Sequence, residues 1–358
     1  MDATGLLDWF FAARRELPWR TPFPRDPYRV LVSEVMAQQT QIERVIPAYL
    51  RFLDHFPTVD TLADAAEDDV VAAFSGIGYY RRARLLHATA QAVAALGSWP
   101  CDLTSLAALP GLGPYSAAAI AAFAFLADTP PVDGNVARVA ARVGRIELPM
   151  GHSRLAAAGR DLAARLHRDR PRPEVFEALM ELGATVCGPA APRCLTCPLQ
   201  PRCASGNSAT ALRYPLPRTQ RARENVNWVV VWLEDPDGQV LLRRIETGPI
   251  LRGLWLPPIA ELTPGATGMA VAASVAASLG WQVPLTPRPA LRHNITHRSI
   301  AVLPFAGVVA GRIAEPANGV CWAPSRAPGL PTSSLLAKVA RACSKENNHA
   351  EPAGGCSP

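Results

Sequence analysis

Lysine is almost missing from this chain. Of 36 Lys and Arg residues, only Lys338 and Lys345 are lysines. No side-chain amine stands anywhere before residue 338, so chemistry that rests on a lysine Schiff base is excluded there, short of the N-terminal amine. Long apolar runs are missing too. No stretch reaches the roughly 18 residues of a membrane-spanning helix. The first residues also lack the basic-then-apolar pattern of a secretory signal. The expectation is a cytoplasmic protein that meets no membrane. Strand-like alternation is absent before about residue 225. Of eight cysteines, four crowd into 187–203, which in a reducing compartment argues for metal ligation over disulfides.

The chain has 358 residues, 49% of them hydrophobic, enough for two domains with packed cores. Its net charge of +6 permits a polyanionic partner. Residues 1–222 carry 24 Arg against 21 acidic residues, and residues 223–358 carry 12 Lys and Arg against 9, so the excess is spread over both parts. Helical spacing of apolar residues predicts helices from Leu6 to Ala13, after Asp26-Pro27 over 29–37, then over 41–55, 67–74, 80–96, 115–127, 136–146, 153–167 and 174–186. The polar, Pro-containing segment 204–225 reads as a linker between a helical domain (1–203) and a second domain (226–343). The latter opens with a hairpin, 227–233 and 239–242 about Asp235-Pro236-Asp237-Gly238, and continues through a helix at 269–279 and strands near 300–310, a small α/β pattern. The tail 344–358 has the composition of a disordered segment.

Three stretches carry chemistry. Leu109-Pro110-Gly111-Leu112-Gly113 is a glycine-punctuated turn before an Ala-rich helix. Gly111 and Gly113 can take positive φ and let backbone amides approach a phosphate at a helix N-terminus. Asp133 follows just before the next helix, with Asn135 the better N-cap candidate because Val136 starts the apolar run. In the second stretch, Glu34 lies three and four residues after Leu31 and Val30, on their apolar face. A carboxyl there loses hydration, and its pKa should rise toward that of a general acid. The third stretch is Cys187, Cys194, Cys197 and Cys203, spaced Cys-x6-Cys-x2-Cys-x5-Cys. Four thiolates on a compact loop suit a 4Fe–4S cluster or a tetrahedral zinc; a single Cys-x2-Cys knuckle favours the cluster.

Together, the turn, the aspartate some twenty residues on and the cysteine spacing resemble the endonuclease III superfamily of helix-hairpin-helix DNA glycosylases. SEVMAQQTQIERVIP (33–47), Leu17-Pro18-Trp19-Arg20 and Asp133-Gly134-Asn135-Val136 resemble its adenine DNA glycosylase branch, although Ala37 stands where that branch usually has Leu. At Tyr115, bifunctional members carry the Schiff-base lysine. Tyrosine here implies a glycosylase without a lysine-dependent lyase step. The resemblance implies a mainly α N-terminal domain with a 4Fe–4S loop at 187–203, plus a small α/β Nudix-like C-terminal domain. It implies removal of adenine mispaired with 8-oxoguanine or guanine in double-stranded DNA, by a monomeric, bacterial-type, nucleoid-associated protein. Glu34 is then the general acid and water activator, Asp133 the ionised stabiliser of the sugar cation, and Tyr115 and Asn135 the positioning groups. Ser75-Gly76-Ile77-Gly78-Tyr79-Tyr80 resembles the family's Gly-Leu-Gly-Tyr-Tyr, with Tyr79 a wedge beside the oxidised guanine. Gln38, a candidate to fill the duplex gap, and Gln39 join Gly76, Tyr79, Gly111, Leu112 and Gly113 as DNA contacts, while Arg81, Arg82 and Arg84 favour phosphate contact.

Gly253-Leu254-Trp255-Leu256-Pro257 matches an element of the family's C-terminal domain, but 266–281 contains no Glu, so the acidic metal-binding Nudix box is absent. His293-Asn294-Ile295-Thr296-His297 lies where the family has Phe-Ser-His. Thr296 and His297 keep hydrogen-bonding groups for the oxidised base, while Ile295 forfeits aromatic stacking. Two competing readings are a thymine/uracil mismatch glycosylase of the same superfamily and a non-catalytic iron–sulfur DNA-binding protein.

Overall fold

The computed structural model describes residues 3–206, 209–218, 222–248, 250–310 and 319–344. The expected tail lies outside these except for Ser344, as do 207–208 and 219–221 of the expected linker. The chain forms two compact units, residues 1–65 with 81–220 and residues 66–80 with 221–358. The sequence reading kept 66–80 in the helical domain. The structure groups it with the second unit, where Asp68 accepts from Arg244 at 2.7 Å and the Tyr80 hydroxyl donates to the Thr332 carbonyl at 2.6 Å.

The helices are α1 (Ala3–Ala13), α2 (Pro27–Ala37), α3 (Ile42–His55), α4 (Val59–Ala63), α5 (Glu67–Ala73), α6 (Arg81–Leu96), α7 (Leu103–Ala108), α8 (Pro114–Ala124), α9 (Gly134–Gly144), α10 (Ser153–Asp169) and α11 (Glu174–Thr185). α5 belongs to the second unit and the others to the first. Their starts follow local chemistry. Asp26 caps α2 by accepting from the Tyr28 amide, with Pro27 in the first turn, where no N–H is needed. Thr58 and Asp102 cap α4 and α7, which are too short for periodicity to register. α8 ends three residues earlier than expected because Leu126 turns into the left-handed region (φ 57°). Arg145 does the same after α9 (φ 48°). α8 is apolar on every side and buried along 116–124, the central helix against which α2 packs. α11 approaches α9 so closely that a Cβ on Gly183 would sit 2.6 Å from Asn135 Cβ; glycine is what lets the two helices meet at the candidate aspartate. Among the described residues, no helix is long and apolar enough to cross a membrane.

The second unit is built on one mixed sheet: β1 (Glu224–Glu234), β2 (Gln239–Arg244), β3 (Trp255–Leu256), β4 (Ile259–Glu261), then α12 (Gly268–Ser278), β5 (Thr286–Pro287), β6 (Leu291–Ile295), β7 (Arg298–Val308), β8 (Val320–Pro324) and α13 (Ser334–Cys343). The expected β1–β2 turn forms, with Asp235 Oδ1 accepting from Asp237 and Gln239 amides and Gly238 at φ 75°. The main partner of β1 is nevertheless β7, parallel to it from Glu224↔Arg298 to Glu234↔Val308. Alternate residues of β1 serve two cores. Val226, Val230 and Trp232 face the cluster that includes Leu335 and Val339 of α13, and Val229, Val231 and Leu233 face Ala272 and Ala276 of α12. Helices on both faces of a sheet give the expected α/β class.

Candidate active site

A cleft of about 770 Å³ opens in the first unit. Glu34 of α2, Tyr115 of α8 and Asp133 before α9 all line it. The Tyr115 hydroxyl donates to Glu34 Oε2 at 2.6 Å, across 81 residues of chain. Glu34 keeps some exposure toward the cleft, yet its carboxyl is densely surrounded. Burial pushes its pKa up to about 7. The Tyr115 bond and Arg25 oppose the rise, and the negative fields of Asp133 and Glu177 add to it. Burial also raises the Tyr115 hydroxyl well above its ordinary range, so the phenol stays a proton donor. A carboxyl that exchanges its proton near neutrality, held in one orientation, is equipped for general acid and then general base work.

Asp133, not Asn135, is the N-cap of α9. Its Oδ1 accepts from the Val136 amide at 2.8 Å, and Asn135 Nδ2 donates to its Oδ2 at 2.7 Å. The helix starts two residues earlier than the apolar pattern suggests because Gly134 and Asn135 already lie in it. Asn135 Oδ1 in turn accepts from Arg138 Nη2 at 2.8 Å, and Arg138 also reaches the carbonyls of Gly183 and Cys187. Burial raises the Asp133 pKa, and the bonds from Val136 and Asn135 only partly offset it. Desolvation thus outweighs the pull of the helix N-terminus on this carboxyl.

The sequence reading missed a buried ion network on another wall of the cleft. Arg25 forks onto Glu177 through Nη1 and Nη2 at 2.8 and 2.9 Å. Arg15 forks onto Glu181 at 2.8 Å through both Nε and Nη2, and Arg20 Nη2 joins it at 2.8 Å. Burial alone would raise Glu181, but the bonds from Arg15 and Arg20 hold it down at about 2. The available signal was the four-residue spacing of Glu177 and Glu181 amid apolar residues, which places both on one helix face. Their partners lie more than 150 positions away.

Residues 32–158 match the family described as HhH-GPD superfamily base excision DNA repair protein. That match covers little more than a third of the chain. A Mycolicibacterium smegmatis protein named adenine DNA glycosylase is 43% identical over 201 residues, covering 54% of this chain and 66% of the relative. A Rattus norvegicus protein of the same name is 44% identical over 209 residues, covering 56% of this chain and 40% of the relative. The match thus spans just under two thirds of the bacterial relative and less than half of the rat one. Among solved structures, a thermostable thymine-DNA glycosylase aligns at 26% identity with a TM-score of 0.49, over 57% of this chain and 94% of that one.

The Leu109-Pro110-Gly111-Leu112-Gly113 turn is built as a close packing of backbone on backbone. Gly111 has φ 81°, and a Cβ there would lie 2.7 Å from Leu85 Cβ and 3.1 Å from the Leu85 carbonyl oxygen. Gly111→Ala therefore meets strain and a clash together, and we expect about 2–3 kcal/mol of lost stability in urea denaturation; a loss under about 0.5 kcal/mol would show that the turn yields. Gly113, expected at positive φ, is instead the extended N-cap of α8 (φ −83°, ψ 171°). Leu112 turns its side chain inward and its amide bonds to the Leu109 carbonyl, so it offers no side chain to a ligand. Gln38, Gln39, Gly111 and Gly113 line the same cleft as Glu34. Arg82 is buried and donates inward to carbonyls at the end of α2, so it is not a phosphate contact; Arg81 is exposed.

Gly76, Tyr79, Thr296 and His297 belong to the second unit. Gly76 and Gly78 have φ 95° and 72°, and Tyr79, exposed, has φ 55°. Thr296 holds φ 54° at the β6–β7 tip, with Oγ1 3.3 Å from His297 Nδ1, and His297 Nε2 lies 3.5 Å from Glu224 Oε2. Left-handed backbone at two non-glycine tips is strain of the kind that marks functional loops. His293, by contrast, is buried and its pKa is lowered, so it stays neutral within the sheet.

The four clustered cysteines line one small cavity of the first unit with Arg142. None of the four is in a disulfide. Arg142 Nη1 donates to Cys187 Sγ at 3.3 Å and to the Gly188 carbonyl at 2.7 Å. Burial, then the fields of Cys187, Cys203 and Cys194, push the Cys197 thiol up to about 11; four thiolates here need a cationic body between them. Among the described residues, no three His, Cys, Asp or Glu groups converge on a single-ion site.

Proposed function

We propose that the protein is an adenine DNA glycosylase that hydrolyses the N-glycosidic bond of adenine mispaired with 8-oxoguanine or guanine in double-stranded DNA. The observation that carries the reading is the Glu34–Tyr115 pair, with a carboxyl pKa of about 7, sharing one cleft with Asp133. The names of the relatives support adenine as the base.

Adenine leaves poorly as an anion. Glu34 donates its proton to an imidazole-ring nitrogen of the flipped base. The C1′–N9 bond then breaks, its electron pair goes to the departing neutral adenine, and positive charge develops on the sugar. Asp133, in its ionised form, faces that charge. Glu34, now a carboxylate, takes a proton from the water whose oxygen bonds to C1′, and the group is ready for another cycle. Asn135 orients Asp133, and Tyr115 orients Glu34. With tyrosine at 115 and no lysine before 338, this domain has no lysine amine to cut the strand by a Schiff base.

The cysteine cavity fits a 4Fe–4S cluster better than a lone zinc. A tetrahedral zinc at about 2.3 Å from each sulfur needs thiols converging on one point, whereas a cluster spreads its four ligands. Cys187, Cys194, Cys197 and Cys203 would hold it, and it would supply structural rigidity to a loop carrying the exposed Arg193 and Arg202. In the second unit, Thr296 and His297 would read the base opposite adenine, and Tyr79 would wedge beside it. The α/β unit is Nudix-like in this reading, without nucleotide hydrolysis.

The test is single-turnover glycosylase assay on duplexes with adenine opposite 8-oxoguanine, adenine opposite guanine and thymine opposite guanine. Adenine release from the first two, with strand breaks only after alkali, is expected. Thymine release alone, or strand cleavage without alkali, overturns the assignment. Asp133→Asn should retain duplex binding and lose excision by about 10²-fold or more, the scale of a lost charge stabiliser.

A further inference from the structure

The α2 helix ends at Ala37, and the chain then makes a turn that glycine usually makes. Gln39 sits in the left-handed region at φ 54°, where an L side chain is strained and where helix C-termini commonly place Gly. Here a long polar side chain occupies the position and is exposed. A residue from another helix braces this turn, which also has a Thr40 amide to Ala37 carbonyl bond and a Gln38 Nε2 to Ser116 Oγ bond at 3.4 Å. Arg82, in the first turn of α6, is 8% exposed. Its Nη1 donates to the carbonyls of Val35 (2.9 Å), Met36 (3.1 Å) and Gln38, and its Nη2 donates to Thr40 Oγ1 at 3.0 Å. Those carbonyls are the ones a helix end leaves without intrahelical donors, at the negative pole of its dipole. Because Thr40 Oγ1 accepts from Arg82, its own hydrogen is free for the Gln38 carbonyl, 3.2 Å away.

We propose that Arg82 is a positioning residue for DNA binding: it presets the Gln38–Thr40 turn, so that a side chain rather than glycine stands at the left-handed apex beside the cleft. This rests on the glycosylase reading above. The turn lines the same cleft as Glu34, yet Arg82 contacts the helix beyond Glu34 rather than the carboxyl. Its loss therefore acts on engagement of the duplex more than on proton transfer.

The experiment uses the full chain and a duplex carrying 2′-fluoro-adenosine opposite 8-oxoguanine, in which the fluorine disfavours the sugar cation and keeps the base uncleaved. Arg82→Met should raise Kd about tenfold or more, while the saturating single-turnover rate on the cleavable duplex falls less than about threefold. Asparagine tolerates the left-handed region better than glutamine, so Gln39→Asn in the R82M background should recover a large part of the lost affinity. Where R82M does not fold, R82K carries the decision: it keeps the charge but not the fork, so its Kd should rise about threefold and tighten again with Gln39→Asn. Unchanged binding by R82M, or binding and rate falling by equal factors with no recovery from Gln39→Asn, overturns the proposal. A parent protein that releases no adenine sinks the underlying reading and this one with it; an active parent with an indifferent R82M sinks this one alone.

Discussion

Glu34→Gln should lower base excision by about 10³-fold, the middle of the range for a positioned general acid, and should make the protein more stable above neutral pH. Both follow from one shift. Glutamine can accept the Tyr115 hydroxyl as Glu34 does (2.6 Å), so the local geometry survives, but it has no proton to give. The stability sign is fixed by linkage. Glu34 has a folded pKa of about 7 against an ordinary 4.5. Below pH 4.5 both states are protonated and nothing is lost. As pH rises through 4.5 to 7 the unfolded chain releases a proton that the folded one retains, and stability falls. Above 7 the full penalty stands, about 3 kcal/mol. Glutamine never pays it. Urea denaturation at pH 4 and 8.5 should therefore show parent and variant close at the lower pH and the variant ahead by about 2–3 kcal/mol at the higher. The same protonation governs the parent's rate, which at saturating enzyme should decline about tenfold per pH unit above 7. An excision-competent E34Q, or one with no alkaline stability gain, would remove Glu34 from the role of acid.

What was legible in the chain was whatever a single helix face could carry. Glu34 lies on the apolar face of α2 with Val30 and Leu31, so its desolvation could be inferred from spacing. Which group would orient it could not, because the Tyr115 bond depends on how α2 crosses α8. Asp133 was recognised as a candidate, but its capping role went to Asn135 in the sequence reading. Val136 opens the apolar run, and only the observed bonds show the helix starting two residues earlier. The four-cysteine spacing was local and visible. In the second unit, alternation revealed β1, and Asp235-Pro236-Asp237-Gly238 revealed its turn, while the parallel β1–β7 register is non-local and leaves no trace in either strand alone. Arg82 was misjudged for the same reason. An arginine after Tyr79-Tyr80-Arg81 reads as a solvent-facing cation until the end of α2 is seen beneath it.

The ion network is where the sequence was least informative and where a substitution should cost most in stability. Arg25 is buried, forks onto Glu177, donates its Nε to the Thr21 carbonyl at 2.9 Å, and stacks 4.0 Å from the centre of the Phe23 ring. Arg25→Met keeps the volume and the aromatic contact but strands the Glu177 carboxylate in a dry wall of the cleft. Breaking one side of a buried pair typically costs about 3–5 kcal/mol. Arg20 Nε, 3.5 Å from Glu177, can absorb part of this, which puts the expectation near the lower end. Removing both partners should cost less than removing Arg25 alone, because R25M with Glu177→Gln leaves no orphaned charge; the excess over additivity should be at least about 1 kcal/mol in a denaturation cycle of the four proteins. The two partners also act on Glu34 with opposite signs, Arg25 lowering its pKa and Glu177 raising it. R25M alone should thus move the fall in excision rate to higher pH, and the double variant should move it back. The shift distinguishes an electrostatic wall from mere packing: a purely structural pair would change stability and leave the pH at which Glu34 loses its proton where it was. A single R25M cost below about 1 kcal/mol, or a rate profile displaced toward acid, would mean that water reaches Glu177 and that this side of the cleft does not tune the acid.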